Sequence, residues 1–153
     1  MIRKGKPLES IPIWKGKSVL TWKDIELLVE VLSKKIMKSG FEFDKIATVS
    51  RGGLVPARLI ADSFNIKKIL VDPRKIQQKT IFVDDIFDSG DTFKKIIPII
   101  KKPNAFVYAS LIARKKSLYP KQLIYAKQTK GLEYVIFPWD KLEYERTRKP
   151  SKD

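Results

Sequence analysis

The 153-residue chain contains no cysteine and no histidine. Thiol chemistry, Cys/His zinc sites and imidazole acid–base chemistry are therefore excluded, and ionisable catalysis falls to Asp, Glu, Lys, Arg or Tyr. The lack of cysteine fits any cellular compartment and favours none. No apolar run is long enough for a membrane span or a signal peptide, so the expectation is a soluble, cytoplasmic chain without a membrane partner. Repeats and low-complexity tracts are also missing. Acidic residues are in deficit, with 17 Asp and Glu against 32 Lys and Arg and a net charge of +15. That balance fits a nucleic-acid surface, attraction for polyanionic small substrates, or a lysine-rich solvated surface. The positive residues are spread along the chain, with some concentration at both ends, and no nucleic-acid motif is recognisable. Nucleic acid is therefore not an expected partner, and solvated lysine accounts for most of the charge.

What is present is enough for a real core: 43% of residues are hydrophobic and three are tryptophan, in a length that suits one domain over residues 1–153. Residues 1–18 read as a basic, irregular arm in which Ile11, Ile13 and Trp14 are free to dock on the core or on a partner subunit. Thr21 and Asp24 form an N-cap pattern. Ile25, Leu28, Val29, Leu32 and Ile36 then recur at helical spacing, predicting a helix over 22–38 that ends at Gly40. Strands are expected at 46–50, 66–71, 81–83, 105–113 and 123–126. Helices are expected from about Pro56 through Phe64 and over 93–100. Residues 141–153 read as a polar, basic tail. Alternating strands and helices imply an α/β fold with a central parallel sheet flanked by helices. Ligands bind such sheets beyond the carboxyl ends of the strands.

Two stretches carry chemistry. In Thr80–Thr92, TIFVDDIFDSGDT, an apolar strand leads into Asp84, Asp85 and Asp88, then Ser89-Gly90-Asp91-Thr92, then a helix. Backbone N–H groups in a glycine-containing turn at a helix start suit phosphate, and Ser89 and Thr92 add hydroxyl donors. Asp84 and Asp85 can accept hydrogen bonds from sugar hydroxyls or hold a divalent cation. The plainer alternative is a solvated turn whose acids cap the next helix. Three clustered carboxylates without a cation or sugar would repel one another, which weighs against it. The second stretch, Val49-Ser50-Arg51-Gly52-Gly53-Leu54-Val55-Pro56-Ala57, places two glycines and a guanidinium at a strand end. Glycine permits close backbone approach to a ligand, and arginine suits phosphate oxygens, although a glycine turn between strand and helix needs no ligand.

The first stretch resembles the phosphoribosyl-pyrophosphate (PRPP) signature of the type I phosphoribosyltransferases. The second resembles the pyrophosphate loop of their xanthine-guanine members, and that similarity extends back through Ser18-Val19-Leu20-Thr21-Trp22. The resemblance implies a type I phosphoribosyltransferase fold with a small hood formed by the N-terminal arm and the C-terminal segment. It implies an unusual backbone, often a cis peptide, near Arg51-Gly52. It further implies Mg2+-dependent transfer of 5-phosphoribosyl from PRPP to a 6-oxopurine in purine salvage, by a homo-oligomer (dimer or tetramer). Arg51 and Gly52 would bind pyrophosphate, Asp84 and Asp85 the ribose hydroxyls, with Asp85 on the metal. Ser89, Gly90, Asp91 and Thr92 would take the 5-phosphate, and Asp88 would be catalytic, taking or sharing the base's proton.

For the base, counting back from the C-terminal motif puts a base-contacting cation at Lys115, whereas counting forward from the preceding strand favours Arg114. A solvated basic turn remains an alternative for either. Tyr134-Val135-Ile136-Phe137-Pro138-Trp139-Asp140 resembles the end of the xanthine-guanine enzymes, which implies Tyr134 stacking on the purine and the Val135 backbone reading its edge. Aromatic strands are more often core, and core is the expectation for Trp139. One departure is clear. The family usually carries a long mobile loop that closes over the reaction, and only Asp72–Lys79 stands in its place. A short loop closing poorly, or a lid supplied by the arm or by a neighbouring subunit, would each follow; Arg74 and Lys75 are either pyrophosphate contacts or surface charge. Two other classes stay open: a non-catalytic PRPP sensor, and a phosphoribosyltransferase for another base that differs at Lys115 and Tyr134.

Overall fold

A computed structural model describes residues 11–148 of the chain. The first part of the arm (1–10) and the end of the tail (149–153) lie outside the described residues. Elements follow in the order β1 (Lys17–Val19), α1 (Trp22–Ser39), β2 (Lys45–Thr48), α2 (Leu54–Phe64), β3 (Ile69–Val71), β4 (Thr80–Phe87), α3 (Asp91–Ile96), β5 (Val107–Ala113), β6 (Leu123–Gln128), β7 (Tyr134–Ile136) and α4 (Lys141–Arg148). Short 3-10 turns stand at Ile97–Ile99, Pro103–Ala105 and Pro138–Asp140.

The first helix forms as its sequence directs. Thr21 Oγ1 accepts from the Asp24 N–H at 3.2 Å, and the Asp24 carboxylate accepts from the Thr21 N–H at 2.8 Å. Such a cap contributes about 1 kcal/mol. Ile25, Leu28, Leu32 and Ile36 are buried along one stripe, and Gly40 closes the helix at φ 73°.

Five parallel strands form the central sheet in the order β3-β2-β4-β5-β6. Strand residues alternate between its two faces. Ile46, Ile81, Val83, Ala109 and Leu111 join a core cluster with α1 and α2 residues. Ala47, Phe82, Phe87 and Tyr108 face the other way, towards Ile96 and Ile100. The sheet is thus covered on both faces, as parallel sheets require.

The order reverses between β2 and β4. The chain leaves β2 for the edge strand β3, then returns to the far side of β2, so the loops after β2 and β4 diverge and open a crevice. β4 is longer than the apolar run 81–83 suggests. Its pairing with β2 stops at Thr48–Val83, while its pairing with β5 continues through Asp84–Ser110, Ile86–Ile112 and Phe87–Ala113. The acidic segment is therefore strand on one side and open crevice wall on the other.

The other differences are local. β3 begins at Ile69, and the helix after Gly90 stops at Ile96 in favour of a 3-10 turn containing Pro98. The arm is not wholly irregular. Ile11 is buried in the core, and Lys17–Val19 pair in parallel with Tyr134–Ile136 as a separate two-stranded sheet. A strand this short, whose partner lies far along the chain, leaves no local pattern. Ile13 and Trp14 remain exposed. Part of the tail is ordered as α4.

Segment 72–79 is tied down. Ile76 is 1% exposed, its N–H donates to Ile99 O at 2.9 Å, and its carbonyl accepts from the Lys101 N–H at 3.1 Å. Truncating Ile76 to Ala should cost about 2–4 kcal/mol of folding free energy, read from the urea midpoint. An unchanged midpoint would show that the segment is not anchored there.

Candidate active site

The crevice between β2 and β4 opens into a pocket of about 280 Å3 lined by Val49, Ser50, Gly52, residues Asp84 to Phe93, and Tyr108. Two segments far apart in sequence meet here because the sheet reverses here. The loop after β2 is held from three directions. Thr48 Oγ1 donates to Val83 O at 2.6 Å, the Gly53 N–H to Val49 O at 3.1 Å, and the Ser50 N–H to Asp72 Oδ1 at 2.9 Å. The Ser50–Arg51 peptide is cis, one bond before the position the resemblance implies. Both glycines are required by close approach. A Cβ on Gly52 would stand 2.7 Å from Asp85 Oδ2, and one on Gly53 would overlap Thr48 Oγ1.

Asp84 is 4% exposed and is held by the Tyr108 hydroxyl at 2.6 Å and by the Asp85 N–H at 2.8 Å. Tyr108 is itself buried. Burial and the adjacent Asp84 charge raise its hydroxyl pKa, so it stays a donor. Asp85 accepts from the Ile86 N–H at 2.7 Å. Burial first, and then the neighbouring Asp84 charge, push the Asp85 carboxyl well above the ordinary carboxylate range. This pair suits a cation. Mg2+ is commonly held by one or two carboxylates, with waters and substrate phosphates completing its octahedron. Among the described residues no cluster of three or more Asp or Glu could cage a metal by itself. Asp84 and Asp85 thus fit the sparse donor set that a substrate-borne Mg2+ needs.

Beyond β4, Gly90 has φ 87°, a left-handed turn that lets the chain double back into α3. Ser89 Oγ accepts from the Asp91 N–H at 3.3 Å. Asp88 is exposed and paired with Arg114, whose Nε lies 3.1 Å from Asp88 Oδ1. Arg114 Nη1 also donates to Gly131 O and Glu133 O, at 3.2 and 2.6 Å. The guanidinium therefore ties Asp88 to the loop that precedes β7.

The candidate residues fall into two groups. Gly52, Asp84, Asp85, Asp88, Ser89, Gly90, Asp91 and Thr92 line one pocket. Arg51, Lys115, Tyr134 and Val135 do not line it. Arg51 is exposed and pairs with Glu143 at 3.6 Å, and the Lys115 side chain is exposed while its N–H donates to Thr129 Oγ1 at 2.9 Å. Tyr134 is 56% exposed and stacks on Tyr144 with ring centroids 5.9 Å apart. The Tyr134 N–H and Ile136 O both bond to the β1 side. Alternation then turns the backbone N–H and C=O of Val135 to the uncovered edge of the small sheet. Trp139 stacks on Phe137 at 4.8 Å and packs against the core, as expected. Sequence reasoning missed Tyr108, Thr48 and Asp72, since nothing local signals a partner many residues away. It placed the base-contacting cation at Lys115 with Arg114 as the alternative; of the two, only Arg114 is tied to Asp88.

No family model matches the chain. Its sequence is 24% identical over 141 aligned residues to the xanthine-guanine phosphoribosyltransferase of Nitratidesulfovibrio vulgaris, covering 79% of this chain and 83% of that one. Its fold resembles the Helicobacter pylori xanthine-guanine-hypoxanthine phosphoribosyltransferase at a TM-score of 0.69 and 15% identity, covering 85% and 98% of the two chains. A purine phosphoribosyltransferase from Pyrococcus horikoshii superposes at a TM-score of 0.65 with 25% identity, covering 81% and 93%.

The paired carboxylates predict a pH-dependent stability. A carboxyl whose pKa is raised by folding weakens the fold as pH climbs from its unfolded value, near 4, towards its folded value. Asp85→Asn removes that loss. The variant should melt above wild type by roughly 2–5 °C at pH 7.5 and coincide with it below about pH 4. Millimolar Mg2+ with pyrophosphate should stabilise only the wild type. A variant less stable than wild type at pH 7.5 would mean that the two carboxylates do not repel in the folded chain.

Proposed function

We propose that this type I phosphoribosyltransferase, similar in sequence and in fold to the xanthine-guanine enzymes, transfers 5-phosphoribosyl from PRPP to a nitrogen of a 6-oxopurine (guanine, xanthine or hypoxanthine) and releases pyrophosphate. One observation carries the reading: the glycine loop after β2 and the carboxylates and Ser89–Thr92 loop after β4 line a single crevice at the sheet's reversal. In this reading the Ser89–Thr92 loop receives the 5-phosphate, and Asp84 and Asp85 accept the ribose hydroxyls. The Arg51–Gly52 loop faces the leaving pyrophosphate. Asp88, held by Arg114, accepts or shares the proton of the incoming base nitrogen. Tyr134 offers a stacking face at about 1–3 kcal/mol, and Val135 offers backbone groups to the base edge. Mg2+ carried by the substrate and held through Asp85 would neutralise the charge that develops on pyrophosphate. The transition state is a cationic sugar, so orientation and fixed charge supply most of the rate. Self-association as a dimer or tetramer and a cytoplasmic setting belong to the same reading, by resemblance to the family.

A second reading, a PRPP-binding sensor without catalysis, is favoured by one observation: the segment in place of the closing loop is tied to Ile99 and Lys101. Pyrophosphate release from PRPP and Mg2+, measured with guanine, xanthine, hypoxanthine, adenine, uracil or no base, separates the cases. Release that depends on a 6-oxopurine is the expected result; PRPP binding without release would favour the sensor. For the enzyme, Asp88→Asn should lower kcat by about 10²-fold or more and change PRPP affinity far less. Equal loss of both would remove Asp88 from the chemistry.

A further inference from the structure

Segment 72–79 is tied to the body of the fold at Asp72 and at Ile76. It begins at Asp72, whose φ of 48° is in the left-handed region, unusual for a residue other than glycine but tolerated by aspartate. This turn points the carboxylate back at the loop after β2. Asp72 Oδ1 accepts from the Ser50 N–H at 2.9 Å, Oδ2 accepts the Ser50 hydroxyl, and the Asp72 N–H donates to Thr48 O at 2.9 Å. One residue thus grips both ends of the Thr48–Ser50 turn. The Ser50 hydroxyl and N–H hold the carboxyl pKa down, consistent with a charged acceptor. The segment is anchored again at its middle, Ile76, and at its far end, where Lys79 O accepts from the Asp44 N–H at 2.9 Å, so the grip stands on a fixed support.

The consequence concerns which donors are left. Asp72 uses both donors of Ser50. The N–H groups of Gly53 and Leu54 are taken by Val49 O and Arg51 O. Among the described residues this leaves the N–H groups of Arg51 and Gly52 as the loop's donors to a ligand, and Gly52 lines the pocket.

We propose that Asp72 is a positioning residue for the diphosphate group of the substrate: by holding Ser50 it fixes the Arg51 and Gly52 N–H groups towards the crevice, making segment 72–79 a brace. The proposal rests on the phosphoribosyl reading above. It separates two tasks that a long loop would combine, holding the diphosphate loop and excluding water, and assigns this segment only the first.

The test compares wild type, Asp72→Ala and Asp72→Asn by hydrogen exchange over residues 49–54, by calorimetry with Mg2+ and inorganic pyrophosphate, and by steady-state kinetics. Asp72→Ala should speed exchange in 49–54, weaken pyrophosphate binding by about tenfold or more, and raise the KM for PRPP alike while leaving the KM for the base nearly unchanged. Asp72→Asn, which keeps an acceptor for the Ser50 N–H, should recover part of each loss. Ser50→Ala added to Asp72→Ala should cost nothing further, because the acceptor of the Ser50 hydroxyl is already gone. Unaltered exchange and affinity in Asp72→Ala would overturn the role, as would equal rises in both KM values. Wild-type protein that binds no pyrophosphate would overturn the phosphoribosyl reading and this role with it. Wild-type binding with an unaffected Asp72→Ala would overturn the role alone. If Asp72→Ala fails to fold, the Asp72→Asn comparison decides.

Discussion

Two carboxylates, adjacent in sequence and pressed into a half-buried strand end, are the constraint to which the rest of the structure answers. Asp84 and Asp85 repel each other, and burial makes both charges costly. A stable fold alone would have placed an apolar residue at one of these positions. The chain instead builds around them. Tyr108 is buried so that its hydroxyl meets Asp84, and the Asp85 and Ile86 N–H groups turn towards carboxylate oxygens. Gly52 lacks a side chain because Asp85 fills that space, and Gly53 lacks one because the Thr48 hydroxyl does. Burial and the Asp84 charge hold the Asp85 carboxyl above the ordinary carboxylate range, so a cation placed between the two would favour its ionised form.

Topology explains why such a site forms between these loops. The order β3-β2-β4-β5-β6 reverses between β2 and β4, so the segments leaving β2 and β4 cannot cover the sheet's end between them. β4 runs four residues past its last β2 partner, Val83, and those residues, Asp84 to Phe87, form a wall with one open side. The crevice follows from strand order, and its chemistry follows from which residues lie on that overhang.

This division also decides what the sequence could reveal. α1 was legible to within one residue because its cap, its apolar stripe and its terminal glycine are all local signals. The pocket residues from Asp84 to Thr92 were legible for the same reason: a strand, a turn and a helix start lie in one short run. Tyr108 was not, because its hydroxyl matters only once β5 pairs with β4 in the register that sets Asp84 opposite Ser110. Asp72 was not, because a lone aspartate before proline reads as a turn until Ser50 is seen beside it. β1 was missed because three residues whose partner is β7 carry no periodicity. Arg114 differs from Lys115 in its tie to Asp88 and to the carbonyls of Gly131 and Glu133, which no spacing rule supplies. Local chemistry shows in sequence, whereas support for that chemistry is non-local.

The charge distribution is consistent with this scheme at a longer range. The chain carries +15, yet the pocket wall carries Asp84, Asp85, Asp88 and Asp91. A polyanion approaching such a molecule meets two opposing fields. The surface attracts it over a distance set by ionic strength, about 8 Å at physiological salt. In the proposed reading, Asp84 and Asp85 would face the bound polyanion at contact, and a divalent cation between them would offset that charge. Attraction at a distance with that contact charge would favour a metal-bound polyanion over the bare one, with no residue needed to recognise the metal alone. In the proposed reading the anion would bring most of the metal's ligands, and Asp84 and Asp85 would supply the remainder.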